Sequence, residues 1–202
     1  MVATPLIGDD ELDDLEREFI ARVRGRVLEI GAGDGENFGA FDPSVRWQGL
    51  EPDAKRRAEL ATRAREWRHA SVPLDAKAEA IPLPDHSVDA VVGTYVLCSV
   101  TDPSAALAEV RRVLVPGGRV VFVDHVQAPR RTLKRFVQRV ATPISKRVCH
   151  GCHWDRDTER TLLDAGFVGS DIRRLRVRSS PFGPVPMLLF DGRAPGADDE
   201  SG

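Results

Sequence analysis

One nine-residue stretch constrains this chain more than any other. Val27-Leu28-Glu29-Ile30 is a short apolar run, and Gly31-Ala32-Gly33-Asp34-Gly35 follows it directly. An apolar run of this length ending in glycines reads as a buried strand. The alternating glycines let the backbone turn tightly and approach a ligand that any Cβ would exclude. A short helix from Glu36 comes next, and its free N–H groups suit a carboxylate or a phosphate. Spacing narrows the ligand further. A dinucleotide-binding G-x-G-x-x-G would need glycine at position 36, but Glu36 stands there, against a pyrophosphate. Glu29, Asp34 and Glu36 supply anions that favour a cation. A second strand, Val45 to Leu50, ends in Glu51, twenty residues after Gly31. A carboxylate at that point is able to take both hydroxyls of a ribose.

The rest of the chain alternates between the same two element types. Leu12, Leu15, Phe19 and Val23 share a face, so Asp10 to Arg24 reads as an amphipathic helix. Asp53 is placed to cap a charged helix running to Trp67. Ser71 to Leu74 is a weak strand and Val88 to Val92 a strong one. Pro103 to Val113 reads as a helix stopped by Pro116-Gly117-Gly118, and Arg119 to Val126 as a β-branched strand. Thr158 to Ala165 is a helix ending at Gly166, and Ile172 to Val177 with Val185 to Phe190 forms an antiparallel hairpin. Strands alternating with helices predict an α/β fold: one doubly wound, Rossmann-like domain with a mostly parallel sheet and a C-terminal antiparallel hairpin. The expected organisation is an N-terminal helix over 1–25, the domain over 26–192 with a basic, lid-like insertion at 127–157, and a disordered tail over 193–202.

Four segments resemble the motifs of class I S-adenosylmethionine-dependent methyltransferases. They are residues 27–35, Gly49-Leu50-Glu51-Pro52, the stretch Ala78-Glu79-Ala80-Ile81-Pro82-Leu83-Pro84-Asp85-His86-Ser87-Val88-Asp89, and Leu114-Val115-Pro116-Gly117-Gly118-Arg119, in the family's order. The resemblance implies a fold, a cofactor and site residues. Glu29, Gly31, Gly33 and Gly35 would line the methionine part of S-adenosylmethionine, and Glu51 with Pro52 the ribose. Ala78 and Glu79 would lie at the adenine edge, with Thr94 bordering the methionine part. Many members carry Asp before the Ala-Glu pair, and here it is Lys77, which leaves the adenine amino group to backbone groups. Tyr95-Val96-Leu97-Cys98-Ser99-Val100, Phe122-Val123-Asp124-His125-Val126, Gly151-Cys152 and Ala165-Gly166-Phe167 resemble the branch that holds the thiol S-methyltransferases. That narrower resemblance puts Tyr95 and Cys98 beside the acceptor. By itself, Cys98 reads as a small buried hydrophobe at a strand end.

Asp124 and His125 end the fifth of the strands, where ligands sit, and two readings stay open for them. Either accepts a proton from the acceptor as the catalytic base, or the pair caps the next segment. Cys149-His150-Gly151-Cys152-His153 has the C-x-x-C-H form of haem attachment. No signal peptide precedes it, and four ligands in five positions do not close on one tetrahedral zinc. A polar loop near the acceptor, with no bound metal, is therefore expected. Between Val126 and Trp154 there is no acidic residue, while Arg130, Arg131, Lys134, Arg135, Arg139, Lys146 and Arg147 are basic. This segment reads as a lid over the acceptor, a helix lying on anionic lipid, or a plain solvated face.

Composition limits the partners. A net charge of -2 gives no reason to expect nucleic acid, and no apolar run is long enough to span a bilayer. Three cysteines, an odd number, point to reduced thiols and a cytoplasmic setting. The expected function is methyl transfer from S-adenosylmethionine to a small molecule, with a thiol as the leading acceptor. Phenol, amine or carbon acceptors come next. A cofactor-binding protein without transfer, or an enzyme using the cofactor for another reaction, are the rivals from other classes.

Overall fold

The structure is a computed structural model that describes residues 4–127, 153, 155–178 and 183–196. Seven strands form one sheet in the order β1-β6-β7-β5-β4-β2-β3. They are β1 (Leu6–Ile7), β2 (Arg26–Ile30), β3 (Arg46–Leu50), β4 (Val88–Thr94), β5 (Leu114–His125), β6 (Val168–Val177) and β7 (Val185–Arg193). The helices are α1 (Asp9–Ile20), α2 (Ala54–Glu66), α3 (Pro103–Val113) and α4 (Thr158–Asp164). Only β7 runs antiparallel to its neighbours, pairing with β5 on one side and β6 on the other. The C-terminal hairpin is therefore present, and longer than its apolar core of residues suggested.

Strand alternation builds two cores from one sheet. Val27, Val92, Val121, Val123 and Leu189 pack on the face covered by α1 and α2 with Leu12, Phe19 and Leu60. Leu28, Val91, Val120, Phe122 and Leu188 pack on the opposite face with Leu107 and Val110 of α3 and Leu162 of α4. Successive side chains on a strand point to opposite faces, so each apolar run feeds both layers. The chain passes from β2 outward to β3, then returns to place β4 on the other side of β2. Ligands of such sheets bind where the order reverses, which here is the carboxyl ends of β2 and β4.

Capping follows the sequence. Asp53 accepts a hydrogen bond from the Arg56 N–H at 2.9 Å, and Asp102 accepts from Ser104 and Ala105 at 2.9 and 3.1 Å. Three expectations need correction. Residues 71–74 form no strand: Leu74 makes a single bridge to Leu50, and the Val72 carbonyl is taken by the Gln48 side-chain amide at 2.8 Å instead of a backbone ladder. Pro116, Gly117 and Gly118 do not separate α3 from a later strand. The helix ends at Val113, and the turn bulges within β5, whose partners jump from Val88↔Leu114 to Ala90↔Arg119. The helix expected from Glu36 is a 3₁₀ turn, Glu36–Ala40. Strand β1 has only two residues, too few for periodicity to show. Arg193 closes β7 and the Ala194 N–H donates to the Gly118 carbonyl at 2.9 Å, so these two residues are not part of a disordered tail; residues 197–202 lie outside the described residues, as do 128–152 and most of the basic insertion.

A buried carboxylate ties α1 to the hairpin. Asp191 on β7 is 1% exposed and accepts from Arg22 at 2.9 Å and from Arg119 at 2.6 and 2.8 Å. Burial would raise its carboxyl pKa, but the two guanidinium groups hold it below the usual range. Both arginines keep some solvent contact, so removing the acid leaves them incompletely stranded. Asp191→Ala is expected to lower stability by about 2–3 kcal/mol in urea titration.

Candidate active site

The carboxyl ends of β2, β3 and β4 bring together two buried glutamates. Glu29 is 1% exposed. Its Oε2 accepts from the Trp47 indole Nε1 at 2.7 Å, and its Oε1 accepts from the Asn37 amide at 2.7 Å. The same Asn37 nitrogen donates to Thr94 Oγ1 at 2.9 Å, so Glu29, Asn37 and Thr94 form one chain of hydrogen bonds. Register explains the indole. Glu29 lies opposite Gly49, and Val27 opposite Trp47. A Cβ on Gly49 would run into the Trp47 ring, so the missing side chain is what lets the indole reach Glu29.

Glu51, 5% exposed, closes the other wall. Its Oε2 accepts from the Gly33 N–H and its Oε1 from the Asp53 N–H, both at 2.9 Å. The carboxylate thereby joins the glycine turn to the start of α2. Gly31, Gly33 and Gly35 all have positive φ, between 58° and 88°. At Gly31 an added Cβ would stand 2.5 Å from Val96 Cγ2. The protein's own packing thus already demands glycine there, before any ligand is considered. Asp34 pairs with Arg63 at 3.4 Å and with Arg56 at 4.0 Å. Both arginines belong to α2 and offset the Asp34 charge, which weakens the anion expected there.

The remaining expected residues divide. Ala78 is buried among Leu28, Ile30 and Leu50 in the α3-side core. Glu79 spends one oxygen on the Thr101 and Asp102 amides, at 2.7 and 3.3 Å, anchoring the loop before α3. Pro52 is exposed, and its carbonyl accepts from Arg57 at 3.0 Å. Asp124 and His125 separate because adjacent strand residues face opposite ways. Asp124 is fully buried on the α3 side and accepts from the Cys98 N–H at 3.1 Å and the Leu97 N–H at 3.4 Å. These contacts cap the loop after β4, which precedes Asp124 in the chain, and not the segment after β5 that the sequence suggested. Burial pushes its carboxyl well above the usual range. His125 turns to the α1 side, its ring 5.1 Å from that of Tyr95. Cys98 is 1% exposed, with Sγ 3.5 Å from the Tyr95 carbonyl. Of the cysteine–histidine cluster only His153 is among the described residues, and its N–H donates to the Cys98 carbonyl at 2.7 Å.

Asn37, Trp47 and Glu16 were missed by sequence reasoning. Glycine inside a strand signals a close approach, so Gly49 was a pointer to Trp47. Glu16 breaks the apolar stripe of α1, and its carboxylate accepts from the Tyr95 hydroxyl. Asn37 gave no signal that its sequence neighbours do not also give.

Comparison with known proteins places this geometry. Residues 28–122 match the profile of the methyltransferase domain family. Thiol S-methyltransferase TMT1B of Rattus norvegicus is 35% identical over 188 residues, covering 88% of this chain and 76% of that protein. Human thiol S-methyltransferase TMT1A is 35% identical over 178 residues, covering 83% and 73%. The chain belongs to the class I S-adenosylmethionine-dependent methyltransferases. The crystal structure of the YcgJ protein of Bacillus subtilis shares the fold, with a TM-score of 0.73 at 20% identity over 93% of this chain and 99% of that one. In this methyltransferase, no helix among the described residues is long and apolar enough to cross a membrane.

Burial pushes the Glu29 carboxyl up to about 7, against the lowering effect of Asn37 and Trp47. Its pKa is raised in the folded chain, so folding favours the protonated form. That stability is fully present below the unfolded value of 4.5 and is lost as pH rises through about 7. Between those pH values Glu29 alone is expected to withdraw about 3 kcal/mol from the ligand-free protein. Urea titrations at pH 5 and pH 8 should show Glu29→Gln losing less stability than wild type by an amount of that order.

Proposed function

We propose that this methyltransferase moves the methyl group of S-adenosylmethionine to a small, apolar thiol. The observation that carries the acceptor is the 35% identity, over 88% of the chain, to a protein named as a thiol S-methyltransferase. The crevice suits the donor. Each Glu51 oxygen accepts one backbone N–H and retains capacity for a ribose hydroxyl. Glu29, the glycine turn and Thr94 border the space for the methionine part, where carboxylates favour a sulfonium and an ammonium. The adenine edge falls to Ala78 and the backbone near Glu79, since that side chain is engaged at Thr101 and Lys77 replaces the usual acid. Tyr95 and His125 face the acceptor, and Asp124 holds the loop carrying Cys98.

S-Adenosylmethionine supplies an electrophilic methyl carbon. The acceptor thiolate forms a new carbon–sulfur bond there as the bond to the sulfonium breaks, and the electron pair stays on the departing sulfur as a neutral thioether. The thiol proton has already gone to solvent. The chain's contribution is to hold the two sulfurs in line.

Glu51→Ala is expected to weaken S-adenosylmethionine binding by about 2–4 kcal/mol in calorimetry, through lost charge-assisted hydrogen bonds. Unchanged affinity in a folded variant would remove Glu51 from the ribose. Turnover, followed as S-adenosylhomocysteine formed with a panel of thiols, phenols and amines, tests the acceptor. With a thiol, the rate should rise with pH and level off at the thiol's own pKa, near about 8.5 for a free thiol. His125→Ala should then cost about tenfold or less, whereas a required base would cost about 10²–10⁴-fold. An amine acceptor is the second reading, favoured by the carboxylates of Asp13 and Glu36, whose charges act on Glu16 where it meets Tyr95. Preference for amines across the panel would decide for it.

A further inference from the structure

Helix α1 lays Leu12, Phe19 and Ile20 onto the sheet, and Glu16 stands on the same stripe, one turn after Leu12. A carboxylate facing inward is costly without a partner. Its partner is the Tyr95 hydroxyl, which donates to Oε1. Tyr95 is the first residue past β4 and has a φ of 58°, a region that bulky side chains seldom occupy unless their surroundings hold them there. Its N–H donates to the Val123 carbonyl at 2.7 Å, and its ring packs 5.1 Å from the His125 ring at the end of β5. Side chains from α1, the β4 end and the β5 end thus meet beside Thr94, which is bonded through Asn37 to Glu29.

We propose that Glu16 is a positioning residue for the methyl acceptor. By accepting from the Tyr95 hydroxyl it fixes the phenol ring, and through that ring the imidazole of His125, as the wall that aligns an apolar acceptor with the methyl group. The proposal rests on the methyl-transfer reading above. It goes beyond that reading by making the N-terminal helix part of acceptor recognition. Glu16 is faced by the Tyr95 hydroxyl, by Asp13 on its own helix, by Glu36 on the 3₁₀ turn and by His125 on β5. Burial raises the Glu16 carboxyl, and the Tyr95 hydrogen bond opposes that rise. The Tyr95 phenol is raised by its partial burial, by the Glu16 charge and hydrogen bond, and further by Asp13 and Asp124.

The chain contains one tyrosine, so ultraviolet titration of phenol ionisation reads Tyr95 alone. Wild type should ionise above the ordinary value of 10, and Glu16→Ala should bring the transition down toward it. With thiophenol as the acceptor, Glu16→Ala and Tyr95→Phe should each raise KM, or weaken thiophenol binding to the S-adenosylhomocysteine complex, by about tenfold. The double variant should lose no more than either single one, because both remove the same contact. Glu16→Gln, which keeps an acceptor oxygen and the shape, should restore most of the loss. S-Adenosylmethionine Kd should be unchanged throughout. Any of three results overturns the proposal: tyrosine ionisation unaffected by Glu16→Ala, single losses that multiply in the double variant, or S-adenosylmethionine affinity falling in parallel with thiophenol affinity. The titration and the calorimetry need no turnover. Failure of wild type to bind S-adenosylmethionine or to form S-adenosylhomocysteine would instead sink the methyl-transfer reading.

Discussion

An acidic side chain in the middle of a parallel sheet has to be satisfied from within, and the arrangement around Glu29 is how this chain does it. The indole of Trp47 and the amide of Asn37 each give it one hydrogen bond of 2.7 Å. Both donors depend on something further out. Trp47 reaches across only because Gly49, directly opposite Glu29, has no side chain. Asn37 is in place only because the backbone turns sharply through Gly31, Gly33 and Gly35. That turn is in turn held by Glu51, whose two oxygens join Gly33 to the first residues before α2. One carboxylate is kept in the sheet, and a second braces the loop that helps to keep it.

Strand parity decides the chemistry of the other end. Asp124 and His125 are neighbours in sequence and look interchangeable as proton acceptors. In a strand they must point to opposite layers. Phe122 marks the α3 face and Val123 the α1 face, so Asp124 follows the first and His125 the second. The acid is consequently spent on the amides of Leu97 and Cys98, and the imidazole is left beside Tyr95 and α1. A period of two, applied to β5, would have separated these residues before any coordinates existed.

The fold was legible in the sequence to a large extent because its signals are periodic. Apolar runs, glycine turns and Asp53 as a helix cap report local backbone preferences that burial then reinforces. Residues 71–74 misled because the partner of the Val72 carbonyl is a side chain, that of Gln48, which a run of apolar residues does not announce. Of the site, the position of Glu51 was legible: it stands buried at the carboxyl end of β3, where the end of an apolar run placed it. The site was not legible where the job depends on a partner distant in sequence. Glu79 lies 22 positions before Thr101, whose amide it engages. Glu16 lies 79 positions before Tyr95. Nothing at either end announces the pairing, although a glutamate in the apolar stripe of α1 was a visible anomaly.

Charge on the two sides of the site sets what the protein can contribute to transfer. In attack by a thiolate, the positive charge of the sulfonium is cancelled as the methyl moves. A carboxylate fixed near that sulfur therefore stabilises the reactants more than the transition state, and only interactions stronger in the transition state accelerate the step. Glu29 is not a simple fixed charge of this kind. Its carboxyl titrates at about 7 in the ligand-free fold, and each of its oxygens is already committed to a donor from the protein. Binding a cation next to it would favour release of its proton, so affinity for the donor should climb with pH without the sulfonium meeting an uncommitted anion. With electrostatics favouring the ground state, acceleration has to come from alignment. That places the demand on whatever fixes the direction of approach, which is the part proposed above for the left-handed Tyr95 held between α1 and His125.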